Sequence, residues 1–276
     1  MLDNNKFLPP RLFDAHMHFY NTVANTATTP FKVPVADVNS YQQKMAELNI
    51  EKVAVVQSML YGTDNSVMLH GVEALGLKRA CAIAVTKADA PKKLWQDLDK
   101  KGVRGLRAFM LFDPLLQWSE LVELSKRLAD IGWQLHLQMD GRKLPQYRDI
   151  ISQIACPLVI DHVGKFIPPV KVHSDEFQTL LRLLENENRW VKISGFYETS
   201  KTGAPDYEDV TVLARTLVSH IPDRVVWASN WPHPNLQPPP DDLALIELTM
   251  RLTDTPEAAE KLFYSNAMRL YGFSKP

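Results

Sequence analysis

The chain has 276 residues, 45% of them hydrophobic and 23% charged, with a formal net charge of -1. That balance leaves no basic excess to neutralise phosphates, which argues against a nucleic-acid partner. No run approaches the roughly 20 consecutive apolar residues of a membrane span, and Met1 to Pro10 lacks the apolar centre of a signal peptide, so a cytoplasmic location is expected.

Taken in chain order, short apolar runs recur at Leu12–Phe13, Val53–Val56, Ala80–Val85, Gly105–Ala108, Gln134–Leu137, Leu158–Ile160, Val191–Ile193 and Val225–Ala228. Several lack polar alternation, as expected of parallel strands buried on both faces. Between them lie stretches with helical spacing, among them Trp118–Ile131, Val172–Leu184 and Val210–His220. The runs are about 25 to 40 residues apart, the size of one βα unit. Eight such units predict an α/β fold, a (β/α)8 barrel, as one domain over residues 1–276. An open doubly wound sheet would call for a glycine-rich loop after the first strand. The residues there are Asp14-Ala15-His16-Met17-His18, without glycine. Thr255-Pro256-Glu257 reads as the start of a closing helix and Gly272 as its stop. Cys81 and Cys156 each sit in an apolar run and read as buried thiols, neither a disulfide nor a zinc ribbon.

In a barrel the chemistry lies at the C-terminal ends of the strands. His16 and His18 end strand 1 two residues apart, so both side chains point to one face, into the mouth. A lone histidine there would read as core filling; a converging pair reads as functional. Strand 6 ends in Asp161-His162, with His162 at the mouth, Asp161 expected to point outward, and Lys165 either at the rim or a solvated surface residue. Strand 8 ends in Asn230, followed by Trp231 and His233, which shape the wall or brace the loop. An asparagine amide is neutral and not usefully basic, but it donates and accepts hydrogen bonds. Strand 5 offers His136 and Gln138. Strand 4 offers Arg107, which if buried needs an anion, structural or substrate-borne. Tyr197 and Glu198 follow strand 7, and Tyr61 to Asn65 follow strand 2 as wall or structural turn.

These motifs together resemble the amidohydrolase superfamily: DAHMH at Asp14 to His18, VIDHVGK at Val159 to Lys165, VVWASNWPHP at Val225 to Pro234 and SNAMRLYGF at Ser265 to Phe273. Within it the chain looks like the branch that includes 2-pyrone-4,6-dicarboxylate lactonase, which opens lactones, often without a metal. Hydrolytic members carry an aspartate, the base that activates water, where this chain has Asn230. Arginines of the dicarboxylate lactonase correspond to Asp113 and Glu198, Lys165 stands for another, and Arg107 is retained, so a doubly charged pyrone is a poor expected substrate. The segments DHVGKF, SGFYETS and SNWPHP instead resemble the D-galactarolactone isomerase family, which shares the asparagine.

The resemblance implies a lactone-processing enzyme acting on a small carboxylated sugar-acid lactone, converting an aldarolactone from the 1,5 to the 1,4 form. His16, His18, His162 and Asn230 are the expected catalytic residues; Arg107, Gln138, Lys165, Tyr197, Trp231 and His233 the expected substrate contacts. Without a base at Asn230, attack by the substrate's own hydroxyl is favoured over attack by water. No cofactor is expected to be required; a weak or adventitious zinc would use His16, His18 and His162. The rivals are a hydrolytic lactonase using His162, Tyr197 or Glu198 as base, a metal-dependent hydrolase or decarboxylase, and a non-catalytic binding protein. The expected partner is the lactone alone, with no membrane, and the chain is a monomer or a homo-oligomer.

Overall fold

A computed structural model of the chain describes residues 9–21, 33–234 and 236–273. Its strands are β1 (Leu12–Met17), β2 (Ile50–Val56), β3 (Ala80–Ala84), β4 (Val103–Phe109), β5 (Gln134–Gln138), β6 (Leu158–Ile160), β7 (Arg189–Ile193) and β8 (Val225–Trp227). They form one parallel sheet in sequential order. The sheet closes just past the ends of β8 and β1: Asn230 N–H donates to the His16 carbonyl and His18 N–H to the Trp231 carbonyl, each at 2.9 Å. The expected (β/α)8 barrel is therefore the fold.

Helices cover the outside: α1 (Val38–Leu48), α2 (Ser66–Leu75), α3 (Lys92–Lys100), α4 (Leu121–Ala129), α5 (Leu144–Ser152), α6 (Asp175–Leu183), α7 (Glu208–His220) and α8 (Asp242–Met250). The expected helix from Trp118 opens as a tight turn, Trp118–Glu120, before α4. The closing helix begins where expected, with Thr255 capping the Ala258 amide of α9 (Pro256–Glu260). It is then interrupted by a wider turn, Lys261–Ser265, before α10 (Asn266–Leu270). No helix among the described residues is long and apolar enough to cross a membrane.

Strand alternation sorts the side chains into two cores. Alternate residues such as Ala54, Val56, Ile83, Val159 and Val226 fill the barrel, while their neighbours pack under the helices. The bottom is plugged from the C-terminus: Tyr271 stacks on Phe13 with ring centroids 5.2 Å apart and donates its hydroxyl to the Ala15 carbonyl. Both cysteines are buried and unpaired.

The departure from regularity that matters lies in β1. Phe13 and Ala15 face the barrel, so strict alternation would put His16 and His18 outside. The pairing with β2 shifts register between Asp14 and Met17, and this bulge turns both imidazoles inward. Asp14 is left outside the barrel proper, completely buried against α1 and the end of β8.

Candidate active site

The mouth of the barrel holds a cavity of about 440 Å³. Of the residues singled out from sequence, His18, His162, Arg107, Gln138, Lys165 and Asn230 line it. The structure places His16, Tyr197, Trp231 and His233 behind that wall. Trp231 packs on Tyr41, 5.1 Å between ring centroids. His233 is held between Asp242 Oδ1 at 2.8 Å and the Tyr197 hydroxyl at 2.9 Å. His136 lies deeper, fully buried, with its Nε2 3.0 Å from Gln134 Oε1.

Below the cavity, buried charge organises the histidines. Lys192, on β7, is fully buried, its Nζ 2.9 Å from His16 Nδ1 and 3.1 Å from Asp161 Oδ1. Burial lowers the Lys192 ammonium, and Asp161 opposes that fall. Asp161 does not point outward as expected; it is inside and completely buried. Val159 faces the barrel, so two-residue alternation carries Asp161 inward as well. Burial alone would raise the Asp161 carboxyl, but the Lys192 ammonium beside it holds it well below the usual range. His162 comes to the same mouth through its backbone, turned left-handed at φ 51°.

An ammonium has three donors and no acceptor. His16 Nδ1 therefore accepts from Lys192, and the ring proton sits on His16 Nε2. That atom is 3.1 Å from His18 Nε2, while His18 Nδ1 lies 2.8 Å from the Val56 carbonyl, which only accepts. Donors thus run one way, from Lys192 to His16 to His18 to Val56, with both rings neutral. Burial first, then Lys192, lowers His16 well below its ordinary value, and burial with Arg107 pushes His18 down to about 3. Burial and Lys165 likewise keep His162 neutral. Its Nδ1 is 2.9 Å from Ser194 Oγ, which leaves Nε2 for a ligand. Gly195 makes this packing possible: at φ 64°, a Cβ there would lie 3.0 Å from His162 Nδ1.

Around the rim, Asn230 Nδ2 donates to the Tyr197 hydroxyl at 2.8 Å and to Glu198 Oε1 at 2.7 Å. Both amide hydrogens are committed, so the side chain offers only its carbonyl oxygen. Glu198 also pairs with Lys165. Burial and Arg107 push the Lys165 ammonium down to about 7, while the Asp161 carboxylate works the other way. Arg107 donates to the Gln57 carbonyl at 2.9 Å and to Gln138 Oε1, and its buried Nε has no hydrogen-bond partner.

His16, Asp161 and His162 each bring a ligand-type atom within 4.8 Å of the others, a spacing that would suit a metal ion. The residues around them do not fit one. The Lys192 ammonium already stands against two of the three. The expected set of His16, His18 and His162 fares no better, because His16 Nε2 carries the proton that its lone pair would have to replace. Lys192 was not found from sequence; its signal was a lysine set between Val191 and Ile193 in a short apolar run.

The family described as Amidohydrolase matches residues 13–273. The chain is 32% identical to a 2-pyrone-4,6-dicarboxylate hydrolase of Comamonas testosteroni, over 96% of this chain and 91% of that one. It is 29% identical to a D-galactarolactone isomerase of Agrobacterium fabrum, over 98% and 94%. A crystal structure of an Agrobacterium tumefaciens protein in the apo form superposes with a TM-score of 0.88 at 29% identity, covering 99% of both chains.

Proposed function

This chain belongs to the amidohydrolase family, and we propose that within it the protein isomerises a small lactone bearing one carboxylate, through attack by the substrate's own hydroxyl. The observation that carries this reading is the commitment of Asn230 to Glu198 and Tyr197. The end of β8 presents no free base to activate water.

Charge bears on the substrate. Facing or underlying the cavity, Lys192 and Arg107 share the single carboxylate of Asp161 and Lys165 is matched by Glu198, which leaves one cationic charge in excess. One carboxylate suits that balance. Asp113, exposed at the rim, argues against a second. D-galactarolactone, which carries a single free carboxylate, fits better than a pyrone dicarboxylate.

Arg107 holds the carboxylate from the cavity wall through its terminal nitrogens, while its buried Nε faces Asp161 Oδ2 at 3.8 Å. Lys165 polarises the ring carbonyl, and its depressed ammonium suits transient charge stabilisation near neutral pH. The Asn230 carbonyl accepts from a substrate hydroxyl and orients it. A second hydroxyl attacks the carbonyl carbon, passing its proton to His162 Nε2. As the ring C–O bond breaks, the departing oxygen takes that proton back. One C–O bond forms and one breaks, no water is consumed, and proximity supplies the advantage over bulk water. His16 and His18, locked in one donor direction, keep the floor of the site neutral and rigid.

One observation favours hydrolysis as the second reading. Glu198 brings a carboxylate to the end of β8 although the residue there is asparagine. The test is to incubate chelator-treated protein with D-galactaro-1,5-lactone in ¹⁸O-water and follow the products by proton NMR and mass. Unlabelled 1,4-lactone is the expected product. Singly labelled diacid would replace isomerisation by hydrolysis through Glu198 or His162.

A further inference from the structure

We propose that Lys192 is the protein's built-in substitute for a metal cation: its ammonium neutralises Asp161 and, from the outer ring nitrogen of His16, fixes that ring in the tautomer that cannot bind a metal. The inference deepens the lactone-processing reading and rests on it only for its chemical consequence, that the carbonyl is activated by Lys165 and not by a metal ion.

Three features of the geometry converge. First, Lys192 Nζ lies 2.9 Å from one member of the His16–Asp161–His162 cluster and 3.1 Å from a second, and its side chain is completely buried. A monovalent cation therefore already stands against two of the three residues that a divalent one would need. Second, Asp161 is the one carboxylate of that cluster, and the lysine claims it. What remains is two neutral imidazoles, a poor set for a catalytic zinc site, which usually has three protein ligands. Third, the lysine acts through the ring. With His16 Nδ1 accepting, Nε2 must carry hydrogen, and its contact with His18 Nε2 at 3.1 Å is a hydrogen bond, not a pair of lone pairs open to a shared ion. Metal-binding histidines depend on the opposite arrangement, in which the outer nitrogen donates to a carboxylate or carbonyl and so frees the inner lone pair. Here the outer partner is itself a donor.

Lys192 is on this account a positioning residue, and removing it should create what it now prevents. In Lys192→Met the aliphatic volume is kept, Asp161 is released, and the His16 Nδ1 proton becomes able to face it; Asp161 Oδ1 is 3.5 Å away. Chelator-treated wild type and Lys192→Met are titrated with Co²⁺ and read by visible absorption. The wild type is expected to show no ligand-field bands. The variant, with native circular dichroism, is expected to take up one Co²⁺ with low-coordinate bands, and to lose it again when Asp161→Asn is added. Tight Co²⁺ binding at the wild-type histidines, or a folded Lys192→Met that binds none, would overturn the proposal. A lysine that only stabilised the fold would produce a weaker protein without a metal site. If Lys192→Met does not fold, imidazole ¹⁵N spectra of the wild type decide. Protonation of His16 at Nε2 is the expected result, and protonation at Nδ1 refutes it. No substrate enters these measurements, so their failure is separate from failure of the lactone assay.

Discussion

Asn230 Nδ2 donates to Glu198 Oε1 across 2.7 Å, so the asparagine at the end of β8 is matched to a carboxylate at the end of β7. Replacing it with aspartate would set two carboxylates at hydrogen-bond distance, and such a pair holds one proton between them well into the neutral range. Asn230→Asp alone is therefore expected to gain little water attack at neutral pH. Combined with Glu198→Gln, the new carboxylate ionises, and hydrolysis should rise by about 10²-fold or more, the usual contribution of a positioned base. Mass analysis of diacid formed in ¹⁸O-water checks this. Full hydrolysis by the single variant at pH 6 would show that the two side chains are not coupled.

Lys165 gives the expected pH dependence. Its ammonium, pushed down to about 7, loses charge as pH rises through that value. The kcat/KM for the lactone should fall above pH 7, approaching about tenfold per unit where the charge that polarises the ring carbonyl governs turnover. Lys165→Arg keeps its charge throughout and should flatten the profile. Stability runs the other way. The folded-state value lies below the ordinary 10.5, so the unfolded chain holds more protons between about 7 and 10.5, and stability from this group rises with pH across that window. Chemical denaturation at pH 7 and pH 9, wild type against Lys165→Met, checks the sign.

His162 is placed to move the proton, and two variants separate its chemistry from its position. His162→Gln should lower kcat by about 10² to 10⁴, the range for losing a general acid–base group, with a smaller change in KM. Gly195→Ala leaves the imidazole in place but puts a methyl 3.0 Å from its Nδ1, at a φ of 64° that costs an L residue about 1–2 kcal/mol. It should also lower kcat, by displacing the ring. A Gly195→Ala enzyme with unchanged kcat would remove the link between that turn and the chemistry.

What could be read before the fold was known follows from what local sequence encodes. Eight apolar runs at regular spacing reveal the barrel because each strand is buried on both faces. His16 and His18 are conspicuous because a pair ends a strand. The direction of Asp161 was misread because its neighbour His162 was correctly placed at the mouth. Alternation allows only one of two adjacent residues there, yet the left-handed turn at His162 admits both. Lys192 stayed hidden for a different reason. A lysine in a five-residue strand looks the same locally whether it reaches solvent or is buried, and its partners His16 and Asp161 are 176 and 31 positions away. The β1 bulge is likewise invisible to a two-residue period, although the pair it re-aims is not.

The same bulge leaves Asp14 as the clasp of the barrel, and this supplies the last prediction. The Asp14 carboxylate is completely buried and accepts from four donors: the Tyr41 hydroxyl at 2.8 Å, the Ser229 amide at 2.9 Å, the His16 amide at 3.1 Å and the Ser229 hydroxyl. Three of these lie on β1 and at the end of β8, the two edges that must meet for closure. Asp14→Ala orphans all four, and each buried unsatisfied donor costs about 1–3 kcal/mol, so a loss on the order of 4 kcal/mol is expected after hydroxyls reorient and water enters. Asp14→Asn keeps one acceptor oxygen for the two amides, and its NH₂ can donate to the two hydroxyls, which turn to accept. It should cost clearly less. Both variants displace the His16 backbone, so kcat should fall with stability in Asp14→Ala and less in Asp14→Asn. Equal losses in urea denaturation would mean that the charge of Asp14, and not its acceptor geometry, holds β8 to β1.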